Sequence, residues 1–219
     1  MPKVTKEYLS DKKNYILECT EEIVKEKPLY LITMRDIIKK AGFSQGVIYR
    51  YYSNLDDIYV DFINKHTTST DLQLKIDSLL NSVQPEKTIL ADCLTAIGDY
   101  IAELLESVVG KTFFELLVMY TSDSGKRTEV FPKLKFRQSL EYAQKRTAEF
   151  ALRSIEKGVF RSRIPFESVL MFVSIFTDGV SQHAVFGNME DNAGESGLEA
   201  FVPEMFKLLA NIVLSFLEE

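Results

Sequence analysis

An all-α fold of about nine helices is predicted for this chain by three observations, the first being that apolar residues recur with helical periodicity from end to end. Runs that alternate polar and apolar β-branched residues between turn clusters are scarce. Helix-opening residues are frequent: Thr33, Ser44 and Asn54 suit N-caps, and Pro85, Pro132 and Pro165 suit a first turn, where a missing N–H costs nothing.

The elements follow in order. A first helix runs through Ile16-Leu17-Glu18-Cys19-Thr20 to Ile23 and Val24, and Lys27-Pro28 ends it. Thr33 and Asp36 form a capping box, Met34, Ile37 and Ala41 share one face, and Gly42 supplies a left-handed terminus. Ser44 caps a further helix of about eight residues, ~12 Å long at the usual rise. On it Ile48 and Tyr52 face the same core as Ile37 and Ala41. Asn54 opens a fourth helix, with Asp56 and Asp57 at its positive end.

Longer helices fill the remainder. Thr121–Thr128 and Gly187–Gly197 read as exposed loops. The last two helices are expected near 165–186 and 198–218, with Pro203 in the first turn of the latter or kinking it. The predicted division is a three-helix domain over 1–54 and a larger helical domain over 55–219.

Bulk composition narrows the classes. With 219 residues, 46% of them hydrophobic, the chain can bury a sizeable core. Cys19 and Cys93 show neither CxxC nor Cys/His spacing, so neither a disulfide framework nor a metal site is expected. No stretch reaches ~18 uncharged apolar residues and the first residues carry charge, so a soluble cytoplasmic protein with no membrane association is expected. The net charge of −6 disfavours phosphate-rich partners on average. Its distribution does not: residues 1–55 carry +3 and residues 56–219 carry −9. A small basic part rides on an acidic body.

The informative stretch is Thr33 to Ile58, two short helices joined by a tight turn. Opposite the core face of the second helix stand Gln45, Gly46, Tyr49 and Arg50, with Tyr51 to one side. A glycine inside a helix costs roughly 1 kcal/mol relative to alanine, and close approach of a phosphate or base to the backbone is a reason to keep one. Gln45 suits a base edge, Tyr49 and Tyr51 suit phosphates, and Arg50 suits guanine or phosphate. DNA recognition and a plain helical hairpin both remain open on pattern alone.

Ala41-Gly42-Phe43-Ser44-Gln45-Gly46-Val47-Ile48-Tyr49-Arg50-Tyr51-Tyr52 resembles the recognition segment of the TetR family of transcriptional regulators, and the first helix resembles that family's first helix. The likeness covers residues 11–62. It implies a helix-turn-helix reader over 1–54 with Thr33, Ser44, Gln45, Gly46, Tyr49 and Tyr51 at DNA-contact positions. It also implies operator binding as a homodimer and release by a small effector, with no cofactor and no enzymatic activity. Two departures stand out. Lys27-Pro28 replaces the usual glycine after the first helix, and Leu55 stands where many members carry a phosphate-touching lysine, for which Lys12 or Lys13 is a candidate substitute.

Beyond residue 62 the resemblance is weaker. Glu156–Phe160, Ile164–Glu167 and Thr177–Gly179 resemble the family's passage into its eighth helix, which implies a four-helix dimer interface built from the last two helices. The stripe Phe201, Met205, Leu208, Leu209, Ile212, Val213 and Phe216 independently favours an oligomer. Phe113, Phe114, Leu117, Tyr120, Phe136, Tyr142, Phe150, Phe172 and Phe176 are the expected walls of an apolar effector cavity, with Gln182 and His183 as polar contacts. Rival readings have less support. An all-helical enzyme lacks any catalytic signature around His66 and His183, and a protein-interaction bundle would use the Gln45/Tyr49/Arg50 face for a protein partner.

Overall fold

The computed structural model describes residues 6–67, 71–187 and 197–218. Among them are eleven α-helices: α1 (Lys6–Glu26), α2 (Met34–Ala41), α3 (Gln45–Tyr51), α4 (Leu55–Lys65), α5 (Asp71–Leu80), α6 (Glu86–Glu106), α7 (Val108–Met119), α8 (Ser124–Val130), α9 (Lys135–Glu156), α10 (Phe166–Gly187) and α11 (Gly197–Phe216). Short 3-10 turns lie at Leu29–Leu31 and Phe131–Lys133. The all-α prediction holds, with more helices than the periodicity indicated.

Two local causes raise the number. Ser107 takes up an extended conformation after α6, and its hydroxyl donates to the Leu104 carbonyl at 2.7 Å, so α6 and α7 separate there. Asp123 caps α8 by accepting the Lys126 N–H at 2.9 Å, which makes a helix of half the segment expected to be an exposed loop. A serine-glycine cluster weakens helix propensity, yet a cap at its start and Val130 buried at its end outweigh that. Most of the second expected loop, 188–196, lies outside the described residues.

The described residues form two compact units. Unit 1 comprises the residues up to Thr67 together with Val108–Lys135, thus α1–α4, α7 and α8. Its core holds Ile16, Ile37, Ile48, Ile58, Phe62, Leu116 and Leu134, all fully buried. Unit 2 takes in the residues up to Ser107 that follow unit 1's first segment, and those from Phe136 onward. In it α6 packs along α11 so closely that a Cβ on Gly98 would lie 2.4 Å from Phe206 Cβ. The buried face of α11 is Val202, Phe206, Leu209, Ala210 and Val213. It overlaps the expected stripe only at Leu209 and Val213, and Leu208 is exposed. Pro203 lies inside α11, beyond its first turn. A two-residue antiparallel pairing of β1 (Arg161–Ser162) with β2 (Leu217–Glu218) ties the approach to α10 to the end of α11.

Candidate functional site

The helix-turn-helix is built by short-range chemistry. Thr33 Oγ1 accepts the Asp36 N–H at 3.3 Å, and the Asp36 carboxylate accepts the Thr33 N–H at 2.7 Å, which is the capping box read from the sequence. Lys27 donates to the same carboxylate at 2.8 Å, so the residue that ends α1 also fixes the start of α2. These donors, Lys27 first and then Thr33, hold the Asp36 carboxyl down to about 2. Gly42 ends α2 at φ +67, a conformation that side chains disfavour. Ile48 and Tyr52 are buried with Ile37 and Ala41, as the spacing predicts.

Ser44 occupies the cap of α3 through its backbone: its carbonyl accepts the Val47 and Ile48 N–H groups at 3.0 and 3.2 Å. Its hydroxyl makes no capping bond and is exposed, which differs from the expected side-chain cap. Asn54 caps α4 as expected, accepting the Asp57 N–H at 2.9 Å. Asp56 does more than favour the helix terminus. It is buried, and its carboxylate accepts from the Tyr120 hydroxyl and the Lys126 ammonium, within unit 1. Burial, then Asp56, pushes the Tyr120 phenol up, and the bond to Asp56 raises Lys126. A second link to the same segment is the Leu29 N–H, which donates to the Glu115 carboxylate at 2.6 Å.

The side of unit 1 opposite this core is exposed. Thr33, Ser44, Gln45, Gly46, Tyr49 and Arg50 all face solvent, and Tyr51 is half-buried. No atom lies within 4 Å of the position a Cβ would take on Gly46, so nothing inside the protein requires a glycine there. The cations are sorted by their partners. Lys13, Lys25, Lys27 and Lys40 are paired with Asp61, Glu21, Asp36 and Glu22. Lys12 lies over the Phe43 ring at 4.2 Å and Lys13 over Tyr52 at 5.0 Å, so the two lysines considered as substitutes for a lysine at 55 are engaged within the unit. Arg35, Lys39 and Arg50 are exposed and have no acidic partner among the described residues. Arg35 and Lys39, at i and i+4 on α2, are absent from the sequence-based site. Only the pairing pattern in three dimensions separates them from the other cations.

The residues expected to wall an effector cavity are divided between the two units. In unit 1, Phe113 packs edge-on to Phe114 and Phe131, Leu117 is half-buried, and Tyr120 serves Asp56. In unit 2, Phe136 is core, Tyr142 donates to Asp77 at 2.7 Å, and Phe172 and Phe176 pack on each other and on Phe216 and Phe206. A cavity of about 310 Å³ in unit 2 has none of these eight residues in its lining, which is mostly aliphatic. Rings at helical spacing satisfied one another, as core aromatics do. His183 stacks on Phe201 with ring centroids 5.4 Å apart.

A capped two-helix turn with an exposed polar and cationic face, set in an all-α chain, defines a DNA-binding helix-turn-helix regulator. The model for "Bacterial regulatory proteins, tetR family" matches residues 16–61, the segment containing that turn. That segment is similar to the DNA-binding part of TetR-family transcriptional regulators. It is 27% identical over 199 residues to the uncharacterized HTH-type transcriptional regulator YfiR of Bacillus subtilis, covering 90% of this chain and 91% of that one. Its fold matches MexZ of Pseudomonas aeruginosa, described as a key repressor responsible for antibiotic resistance, at TM-score 0.59 and 19% identity over 96% of this chain and 100% of that one. It also matches FadR of Bacillus subtilis in complex with stearoyl-CoA, at TM-score 0.54 and 16% identity over 90% and 97%. Among the described residues no helix is long and apolar enough to cross a membrane.

The capping box carries a pH signature. Asp36 has a folded-state pKa of about 2, below the ~3.9 of an unfolded aspartate. Its contribution is therefore present above the unfolded value and lost as pH falls toward 2. Acid unfolding of Asp36→Asn should show a shallower stability loss than the wild type between about pH 4 and pH 2. An identical slope in both proteins would count against the Lys27–Asp36–Thr33 cluster.

Proposed function

We propose that the protein is a repressor that binds a palindromic operator as a homodimer and leaves it when a small hydrophobic effector binds. Residues 1–54 read the DNA and residues 55–219 take the effector and dimerise. The observation that carries this reading is the exposed face of α2 and α3. Gln45 and Arg50 reach base edges, Thr33, Ser44, Tyr49 and Tyr51 bind phosphates, Gly46 lets the duplex approach, and Arg35 and Lys39 add counter-charge.

Dimerisation is supported by an exposed apolar row on α10, where Met171 and Ile175 are each 65% exposed, and by Leu208 on α11 at 47%. A second copy covering this row, built on the last two helices, matches the two-fold symmetry of a palindrome. Repression is favoured by the likeness to MexZ, a repressor, and an apolar effector by the stearoyl-CoA bound to FadR.

Selecting fragments of the source genome with the purified protein tests the reading directly. An inverted repeat should emerge, and transcription from the adjoining promoter should fall when protein is added. Enrichment of no sequence, or a rise in transcription, would overturn it. Leu55, the first residue of α4, offers a finer check. Leu55→Lys should add one phosphate contact and steepen the dependence of log affinity on log salt by ~0.9; an unchanged slope removes α4 from the interface.

A further inference from the structure

The cavity in unit 2 lies between α6, α9, α10 and α11, and its volume of about 310 Å³ is at the lower end of the ~300–1,000 Å³ usual for small-molecule sites. Leu94, Ile97, Val169, Val173 and Val213 line it, and Phe166 is the one aromatic ring in its wall. A flexible alkyl chain fills such a wall by dispersion alone, whereas a flat aromatic ligand would find a single ring to stack on.

Its polar lining is concentrated. Apart from Ser174 on α10, its polar residues Glu141, Gln144, Lys145 and Thr147 all belong to α9, and the first three share one edge of that helix by their i, i+3, i+4 spacing. Glu141 is already held by Arg137 at 2.8 Å. Lys145 reaches only as far as Glu149, at 3.9 Å, and its side chain is 76% exposed, so its charge stays available. Thr147 is 4% exposed, and its hydroxyl has no hydrogen-bond partner of ordinary geometry among the described residues. The Cys93 thiol beside it is a weak acceptor. With Arg137 pairing Glu141, the α9 edge carries the Lys145 charge, held only by its long contact to Glu149, and the Gln144 amide as a donor.

We propose that this cavity binds a single-chain aliphatic carboxylate of medium length. The alkyl chain lies between the four helices and the carboxylate sits on the α9 edge, where Lys145 supplies the charge and Gln144 supplies a donor. The coupling of this site to DNA release rests on the reading given above; binding itself does not.

Titration calorimetry of the full chain, without DNA, tests it with sodium decanoate and 1-decanol at sub-micellar concentrations. Decanoate should bind at least about tenfold more tightly than decanol, a charge-assisted preference worth ~1.4 kcal/mol. Lys145→Gln, at an exposed position that leaves the fold intact, should abolish that preference while decanol binding persists. Ala148→Leu, which fills the cavity, should weaken both. Equal affinity for the two ligands, binding of neither, or a preference that survives Lys145→Gln overturns the assignment. Operator mobility shift with decanoate separates the two claims. A protein that shifts DNA yet binds no decanoate loses this site and keeps its regulator role. One that binds decanoate through Lys145 keeps the site whether or not the operator is released.

Discussion

Ile175→Arg is expected to turn the protein into a monomer and to lower its operator affinity by ~10²–10⁴-fold, the range lost when two linked binding events become one. Ile175 and Met171 stand at i and i+4 on α10, equally exposed, with Asp178, Gly179 and Gln182 continuing the same solvent-facing side. Gly179 has nothing within 4 Å of its Cβ position, so the row is smooth where the facing helix of a second copy would come near. An arginine there would be carried into an apolar contact without a partner, a strongly unfavourable burial. Because the position is exposed within one subunit, the variant should keep its helical content, while its melting temperature becomes independent of protein concentration. Light scattering and mobility shift together decide the matter: a variant that stays dimeric with wild-type affinity removes α10 from the interface.

Gly98→Ala should lower the stability of unit 2 by about 1–3 kcal/mol, the usual cost of overpacking a filled core. The added methyl would meet the Phe206 ring and also its Cβ, 2.4 Å away, which no side-chain rotation can move aside. α6 and α11 must therefore separate slightly along their whole contact. For a chain of this length ~1 kcal/mol shifts the midpoint by roughly 2–4 °C, so thermal unfolding should read a fall of several degrees. A double-mutant cycle with Phe206→Ala, which removes Cγ, should be non-additive, since residues in contact are coupled. An unchanged midpoint would show that the two helices do not pack at this distance.

What the sequence made legible was local. The Thr33–Asp36 box, the left-handed Gly42, the Asn54 cap and the burial of Ile48 and Tyr52 all follow from spacings of three or four residues. What it hid depends on partners far along the chain. Asp56 and Asp57 look equivalent at a helix start, and only the return of Tyr120 and Lys126 makes one of them a buried ion-pair partner. Arg35 looks like Lys40 until Glu22 is found beside the latter. Ring content marks core and pocket alike, so it does not single out the cavity in unit 2, whose lining is mostly aliphatic with no distinctive sequence pattern. Ser44 shows an intermediate case, in which the cap position was readable and the hydroxyl's freedom was not.

The reader of DNA in this chain is not modular in the order of synthesis. Leu29 relies on Glu115, and Asp56 on Tyr120 and Lys126, residues translated only after α5 and α6 have emerged. An amino-terminal fragment stopping after α4 would strand a carboxylate without its counter-ion and an amide without its acceptor. Grafting this operator specificity onto another regulator's body would accordingly require transplanting α7 and α8 along with the first four helices.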